Sequence, residues 1–157
     1  MAQALVEAVI AHFDSIYEGP NGDYAAVKQS LEGVTATQAA WKPAPGHNCI
    51  WQIVDHLTAS NEWQIQMLEL GQAELPVWND PKGGEAAWLT SLSRLNHSHA
   101  RLKEALGRLT EKELMSVPAG ETKSQLELLL SIAAHEAHHS GQIDYLKGLQ
   151  SKSRRNG

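Results

Sequence analysis

The chain has only one cysteine, Cys49, among its 157 residues. A single cysteine cannot form an internal disulfide, which excludes the disulfide-stapled folds of small secreted proteins. The first residues, MAQALVEAVIAHFD, have no basic segment ahead of the apolar stretch, and Glu7 interrupts that stretch, so they are unlike a signal peptide. We therefore predict a cytoplasmic protein.

Long apolar runs and basic surfaces are also missing. The longest nearly apolar run, LLLSIAA, is far shorter than the ~20 residues that span a bilayer. The net charge is −5 and the only basic run is SKSRRNG at the C-terminus, whereas nucleic-acid binding needs a concentrated basic face. We expect no membrane and no nucleic-acid partner. The length fits one domain, which we place at residues 1–150, before a flexible basic tail at residues 151–157.

Alternating strand patterns are absent and helical periodicity dominates. The pattern predicts a short helical segment at about residues 23–31 and long helices at about residues 2–17, 48–70, 84–109 and 124–149. Capping boxes predict single turns at residues 35–38 and 110–113. Four long helices in one domain form a four-helix bundle. The long connection at residues 71–83 permits an up-down-down-up order, in which the second and third long helices are parallel.

Residues 135–142, HEAHHSGQ, contain the H-E-x-x-H motif of zinc peptidases in His135, Glu136 and His139. A zinc peptidase takes its third ligand downstream, from a glutamate or from a histidine of an extended motif. No glutamate or histidine follows His139, and Gln142 and Tyr145 stand where the extended motif has glycine and histidine. A peptidase is therefore excluded.

The spacing of the histidines nevertheless favours a metal site. Helical rotation places His135 and His139 in the middle of an apolar stripe and His138 about 100° away. An i, i+4 pair on one face can share a cation, although a hydrogen-bonded polar cluster without function is the alternative. The third ligand has to come from upstream. His56 is the best candidate, since it shares a helical stripe with Cys49, Trp63 and Met67.

The other histidines fit a ligand set less well. His12 is expected on the interior face of the first helix, in a structural role. His97 and His99 are two positions apart and face different sides of their helix. His47 precedes the second long helix, where it is expected to border the mouth of a pocket.

Two motifs resemble the DinB/YfiT-like superfamily: W-x-x-x-x-H-L ending at His56 and Leu57, and H-x-x-H-H-x-G-Q-I in the last helix. WKPAPG and LTEKEL resemble the same family, and the resemblance covers about residues 31–149. It implies an up-down-down-up four-helix bundle with a divalent metal on His56, His135 and His139. Dimers are common in this family, so a homodimer is expected. Members with known activity are mostly thiol-dependent: S-transferases and a mycothiol-dependent maleylpyruvate isomerase.

Three neutral imidazoles leave a tetrahedral ion one open position, as in catalytic sites. We expect zinc or nickel, which would either generate hydroxide from water or bind a low-molecular-weight thiol as thiolate. Glu136 is the candidate base, with a solvent-exposed glutamate at the edge of the stripe as the alternative. Gln142 and Trp63 are the candidate contacts to a small-molecule ligand, and core packing is the alternative for Trp63.

The resulting prediction is a thiol-dependent S-transferase that acts on a small electrophile. Two alternatives remain open at this point. One is a metal-dependent hydrolase of a small molecule. The other is a non-catalytic stress-response module that binds a metal and a small ligand.

Overall fold

A computed structural model describes residues 3–20, 22–74, 77 and 79–153, which form seven helices and no strand. The helices are α1 Ala4–Tyr17, α2 Val27–Leu31, α3 Ala36–Ala40, α4 Ile50–Leu70, α5 Glu85–Gly107, α6 Glu111–Leu114 and α7 Gln125–Ser153. The predicted all-helical class is confirmed, and the four long helices are α1, α4, α5 and α7. Within the described ranges, no helix has the length and apolar character needed to cross a membrane.

Side chains at the helix ends explain several of these boundaries. Thr35 and Gln38 form the predicted capping box before α3, as Thr110 and Glu113 do before α6. Before α7, the backbone N–H of Ser124 donates to the Glu127 carboxylate at 2.8 Å, and the Glu127 N–H donates back to the Ser124 hydroxyl at 3.3 Å. These bonds satisfy N–H groups that have no partner inside the helix.

Two helix ends differ from the prediction. Helix α2 begins at Val27 rather than near residue 23, because the side chain of Gln29 accepts the backbone N–H of Ala26 and sets the start there. Helix α7 continues to Ser153 rather than ending near residue 149. Residues 154–157 of the predicted basic tail lie outside the described residues.

Helices α4 and α5 run in the same direction. Near their N-terminal ends, the Trp51 indole N–H donates to the Ser91 hydroxyl at 2.9 Å. Near their C-terminal ends, Arg108 donates to Glu69 at 2.8 Å. Helix α1 is antiparallel to α5, since Tyr17 donates to Asn96 while the earlier Asp14 pairs with the later Lys103. These directions are the ones that an up-down-down-up order requires.

The apolar core consists of two clusters separated by a polar layer. The first cluster surrounds Trp88 at the level of α2 and α3, and the second surrounds Phe13 at the level of α6. In α4 the layer extends from His56 to Gln64, and in α5 and α7 it lies between Leu95 and Leu102 and between Ala133 and Ile143. Its buried polar members are Thr58, Asn61, Gln64, Ser98, His99, Glu136, His139 and Ser140. Burying polar groups costs free energy, which makes this layer the candidate location of the functional site.

Candidate metal centre

Three imidazoles from two helices converge in the polar layer. His56 projects from α4, and His135 and His139 project from successive turns of α7. The Nε2 atom of His135 lies 3.1 Å from Nε2 of His56 and 2.9 Å from Nε2 of His139. One nitrogen of each ring lies within 4.8 Å of the others. The structure therefore brings together the three predicted ligands, and their nitrogens could hold one metal ion.

A neighbouring amide sets which nitrogen of His139 is available. Nδ1 of His139 lies 2.7 Å from Oε1 of Gln142, and Nε2 of Gln142 lies 2.9 Å from Nε2 of His138. An amide oxygen only accepts hydrogen bonds, so Nδ1 of His139 carries the proton, and Nε2, which faces His135, carries the lone pair that could bind a metal. Such partners fix the orientation of metal-binding histidines. Gln142 thus orients His139. His138 is the next side chain in this series of hydrogen bonds, on the far side of the Gln142 amide from His139.

The protonation state of the three histidines suits a cation. Burial, together with the neighbouring imidazoles, lowers the pKa of His56 and of His139 to about 4. Burial also lowers the pKa of His135. All three rings are therefore neutral near pH 7, which is the form that binds metals.

Glu136 is buried in the centre of the bundle. Glu136 is 3 % exposed, and neither of its carboxylate oxygens has a hydrogen-bond partner in the described part of the chain. The alternative of a solvent-exposed glutamate is therefore wrong. Burial raises the pKa of Glu136 to about 8, and a cation on the adjacent histidines would lower it again. Its oxygens are not close enough to all three imidazoles to join the ligand group.

The buried face of α7 is rotated from the predicted one. It follows Leu129, Ala133, Glu136, Ser140 and Ile143, with His139, Leu146 and Gln150 beside them. At 100° per residue, Glu136 lies within about 10° of the centre of this face, His139 about 50° from it and His135 about 90° from it. The prediction that both histidines occupy the middle of the stripe is therefore wrong. The two histidines lie at the edge of the buried face. The prediction centred the stripe on them because it counted the apolar Leu128 and Ile132 as part of the core, whereas both are only half-buried.

The polar layer continues beyond Glu136 to α1 and α5. Burial raises the pKa of Tyr17, and the charge of Glu136 raises it further, so the two side chains are neighbours. The Tyr17 ring stacks on His99 with 4.0 Å between ring centroids. Nε2 of His99 lies 3.1 Å from Oδ1 of Asp14, and the Lys103 ammonium binds the other carboxylate oxygen, Oδ2, at 2.7 Å.

His99 was assigned no role from the sequence, although its spacing from Leu95 and Leu102 would have placed it on the buried face of α5. Its Nδ1 has no hydrogen-bond partner among the residues that the structure describes. Burial lowers the pKa of His99, and the bond to Asp14 opposes this only in part. His99 is therefore neutral and donates from Nε2 to the Asp14 carboxylate.

The neutral state of His99 predicts a pH dependence of folding. When folding lowers the pKa of a histidine, its contribution to stability is fully present at a pH above the unfolded pKa of about 6.5. That contribution is lost as the pH falls through the lower pKa of the folded state. In metal-free protein, the free energy of unfolding should therefore fall less between pH 7 and pH 5 for His99→Gln than for the unchanged chain. Asp14 stays charged throughout this range, since the bonds from Lys103 and His99 outweigh partial burial and lower its pKa from 3.8.

Denaturant unfolding at pH 5, 6 and 7 measures this difference. His97→Gln is the matched control, because His97 lies two residues away and is exposed; its profile should equal that of the unchanged chain. Identical profiles for all three proteins would show that His99 does not titrate as inferred.

Two cavities flank the histidines along the groove between α4 and α7. One, of about 250 Å³, is lined by Trp63 and Met67 of α4 and by Leu128 and Ile132 of α7. The other, of about 340 Å³, is lined by His47, Ile53, Gln142 and Tyr145, among others. Trp63 and Gln142, the predicted ligand contacts, thus lie on opposite sides of the three imidazoles.

The remaining histidines do not join the cluster. His12 is exposed, so its predicted interior position is wrong: it lies about 90° from the centre of the buried face of α1, which is formed by Val6, Val9, Phe13, Ile16 and Tyr17. His97 is exposed and His99 is buried, so the two face different sides as predicted.

Comparison with known proteins gives one family. Residues 22–143, which are 122 of the 157 residues, match the family model described as the DinB superfamily. The matched range contains His56, His135, His139 and Gln142. Neither a curated protein nor a solved structure gives a significant match.

Proposed function

Because the chain belongs to the DinB superfamily, we propose that it is a metal-dependent enzyme that transfers the sulfur of a small thiol to an electrophile. The observation that carries this proposal is the convergence of three neutral imidazoles, one of them held in a fixed tautomer by Gln142. The predicted homodimer and cytoplasmic location stay predictions.

The donor set fits a divalent ion. Zinc–nitrogen bonds of about 2.0–2.1 Å in tetrahedral geometry require about 3.3 Å between ligand nitrogens. The Nε2 distances of 2.9 and 3.1 Å are a few tenths of an ångström shorter, so small rotations of the rings would accommodate the ion. Imidazole ligands suit zinc and nickel. His56, His135 and His139 would hold either ion and leave a position open.

An ion held there supplies positive charge that lowers the pKa of a thiol in the groove. The rest of the chemistry belongs to the chain. Glu136, buried and without a hydrogen-bond partner among the described residues, accepts the thiol proton. The sulfur then forms a bond to the electrophilic carbon while the bond to the leaving group breaks. The leaving group departs with that electron pair, and Glu136 returns the proton to it.

Side chains on either side of the histidines divide the groove into two parts. Gln142, His47 and Tyr145 supply the larger cavity with polar groups for the body of a thiol cosubstrate, beside the apolar Ile53 and Leu146. Trp63 and Met67 give the smaller one an apolar wall that excludes water. A nucleophile and an electrophile could thus approach the same point from opposite ends of the groove.

Cobalt-substituted protein tests this proposal without relying on turnover. Adding glutathione, bacillithiol or mycothiol should produce a thiolate-to-cobalt charge-transfer absorption with at least one of them, because the open position takes a thiolate. The matched control is His56→Ala, which should show no such band. A cobalt spectrum unchanged by all three thiols would contradict thiol binding at this position.

A further inference from the structure

The smaller cavity borders the candidate centre but uses none of its ligands. We propose that it binds the uncharged aryl or short alkyl group of the electrophilic substrate. This proposal rests on the function proposed above and specifies its substrate class. The cavity lies between the C-terminal half of α4 and the first turns of α7.

Its position places a ligand beside the histidines. Ile132 and Leu128 precede His135 by three and seven residues in α7, which corresponds to about 4.5 and 10.5 Å along the helix axis. Trp63 follows His56 by seven residues, two turns of α4. A group seated between these side chains therefore extends from the imidazoles toward the end of the bundle.

Four large apolar side chains line the cavity, beside the polar Gln64, Gln125 and Ser131. Trp63, Met67, Leu128 and Ile132 are only half-buried, although side chains of this size usually pack into a core. Leu128 and Ile132 are the same residues that make the apolar stripe of α7 wider than its buried face. Part of their apolar surface lines the cavity, although Ile132 also packs against the core cluster around Phe13. A ligand would cover that surface.

Size and charge narrow the ligand class. A cavity of about 150 Å³ accommodates benzene, so about 250 Å³ accommodates roughly ten non-hydrogen atoms, such as a substituted single ring. Glu121 is the only charged side chain among the described lining residues, and it is exposed at the rim. An anionic group would lack a partner here and would be repelled by that carboxylate. The ligand is therefore an uncharged apolar group.

Fluorine NMR with two small probes tests this assignment on the metal-free full-length chain. 4-Fluorotoluene and 4-fluorobenzoate have similar size and differ by a methyl group and a carboxylate. 4-Fluorotoluene should show saturable line broadening, and 4-fluorobenzoate should bind at least ten times more weakly. The absence of saturable 4-fluorotoluene binding, or equal binding of both probes, would overturn the proposal.

Two variants that fill the cavity locate the binding. Ile132→Trp at the histidine end, and Gln125→Trp at the far end, should each weaken 4-fluorotoluene binding at least tenfold. Leu92→Trp is the matched control, since Leu92 lines a separate groove near Tyr17 and Lys28, and it should bind as the unchanged chain does. Gln125→Trp serves alone if Ile132→Trp does not fold. Unchanged binding in a folded filled variant would overturn the assignment.

His56→Ala separates this inference from the metal proposal. It removes one imidazole from the metal centre but leaves the cavity lining intact, so it should keep its 4-fluorotoluene affinity. Loss of 4-fluorotoluene binding in this variant, with the fold retained, would place the probe at the histidines and overturn the cavity assignment. Whether the protein takes up zinc or transfers sulfur does not enter this measurement.

Discussion

Replacing His139 by alanine should lower the affinity for zinc by more than about 100-fold, whereas His138→Ala should lower it by no more than about tenfold. His139 supplies one of three converging nitrogens, and even the loss of a group that only hydrogen-bonds to a ligand lowers metal affinity by about 10- to 100-fold. His138 lies edge-on to the His139 ring and contacts the amide of Gln142, which in turn holds His139, but it supplies no nitrogen to the converging group. Competition with a chelator of known affinity measures both constants.

The two histidines are adjacent in sequence and of the same residue type, so each variant is a close control for the other. Circular dichroism of both should match that of the unchanged chain, since His138 is exposed and His139 lies toward the edge of the buried face. Equal losses of zinc affinity in the two variants would contradict the assignment and indicate His135 with His138 as the pair.

Zinc-loaded protein should accelerate the reaction of a small thiol with a chromogenic electrophile, and His56→Ala should reduce the rate to that of free zinc. We expect the loss to exceed about 100-fold, because without the ion neither thiolate formation nor charge stabilisation remains. Glu136→Gln should show a smaller loss, since the cation by itself favours the thiolate and the carboxylate only receives the proton. The assay uses glutathione, bacillithiol and mycothiol in turn.

His138→Ala is the control for this assay and should retain most of the activity. No acceleration with any of the three thiols, together with saturable binding of a small ligand in the groove, would favour a non-catalytic binding module. A larger loss in Glu136→Gln than in His56→Ala would show that the carboxylate, rather than a metal, activates the nucleophile.

The helices could be predicted because local signals mark them. Capping boxes at Thr35 and Thr110 and the glycine after α4, Gly71, with φ +69°, place boundaries by short-range hydrogen bonding and backbone geometry. The predicted start of α2 was wrong because the real start depends on a single hydrogen bond. The backbone N–H of Ala26 donates to the side chain of Gln29, and no composition rule specifies that bond. The end of α7 was misplaced because the helix continues through Gly148, a residue type that often marks a helix end, to Ser153.

The three ligands could be predicted because histidines have a distinctive spacing, but Glu136 could not be placed. Hydropathy assigns a glutamate to the surface. In addition, counting the half-buried Leu128 and Ile132 as core residues placed the centre of the predicted stripe at the histidines instead of at Glu136. Only the packing of α1 against α7 brings Tyr17 near Glu136, and that contact spans more than a hundred residues of sequence. The role of Gln142 likewise depends on which ring nitrogen it faces.

Metal analysis of protein purified without a metal-affinity tag, combined with X-ray absorption at the metal edge, tests the central claim most directly. The predicted result is about one zinc or nickel ion per chain, with three nitrogen neighbours at about 2.0–2.1 Å for zinc. In a folded variant with His56, His135 and His139 all replaced by alanine, the ion should be absent. The same metal content in that variant, or a first shell without imidazole nitrogen, would contradict a metal centre at these three residues.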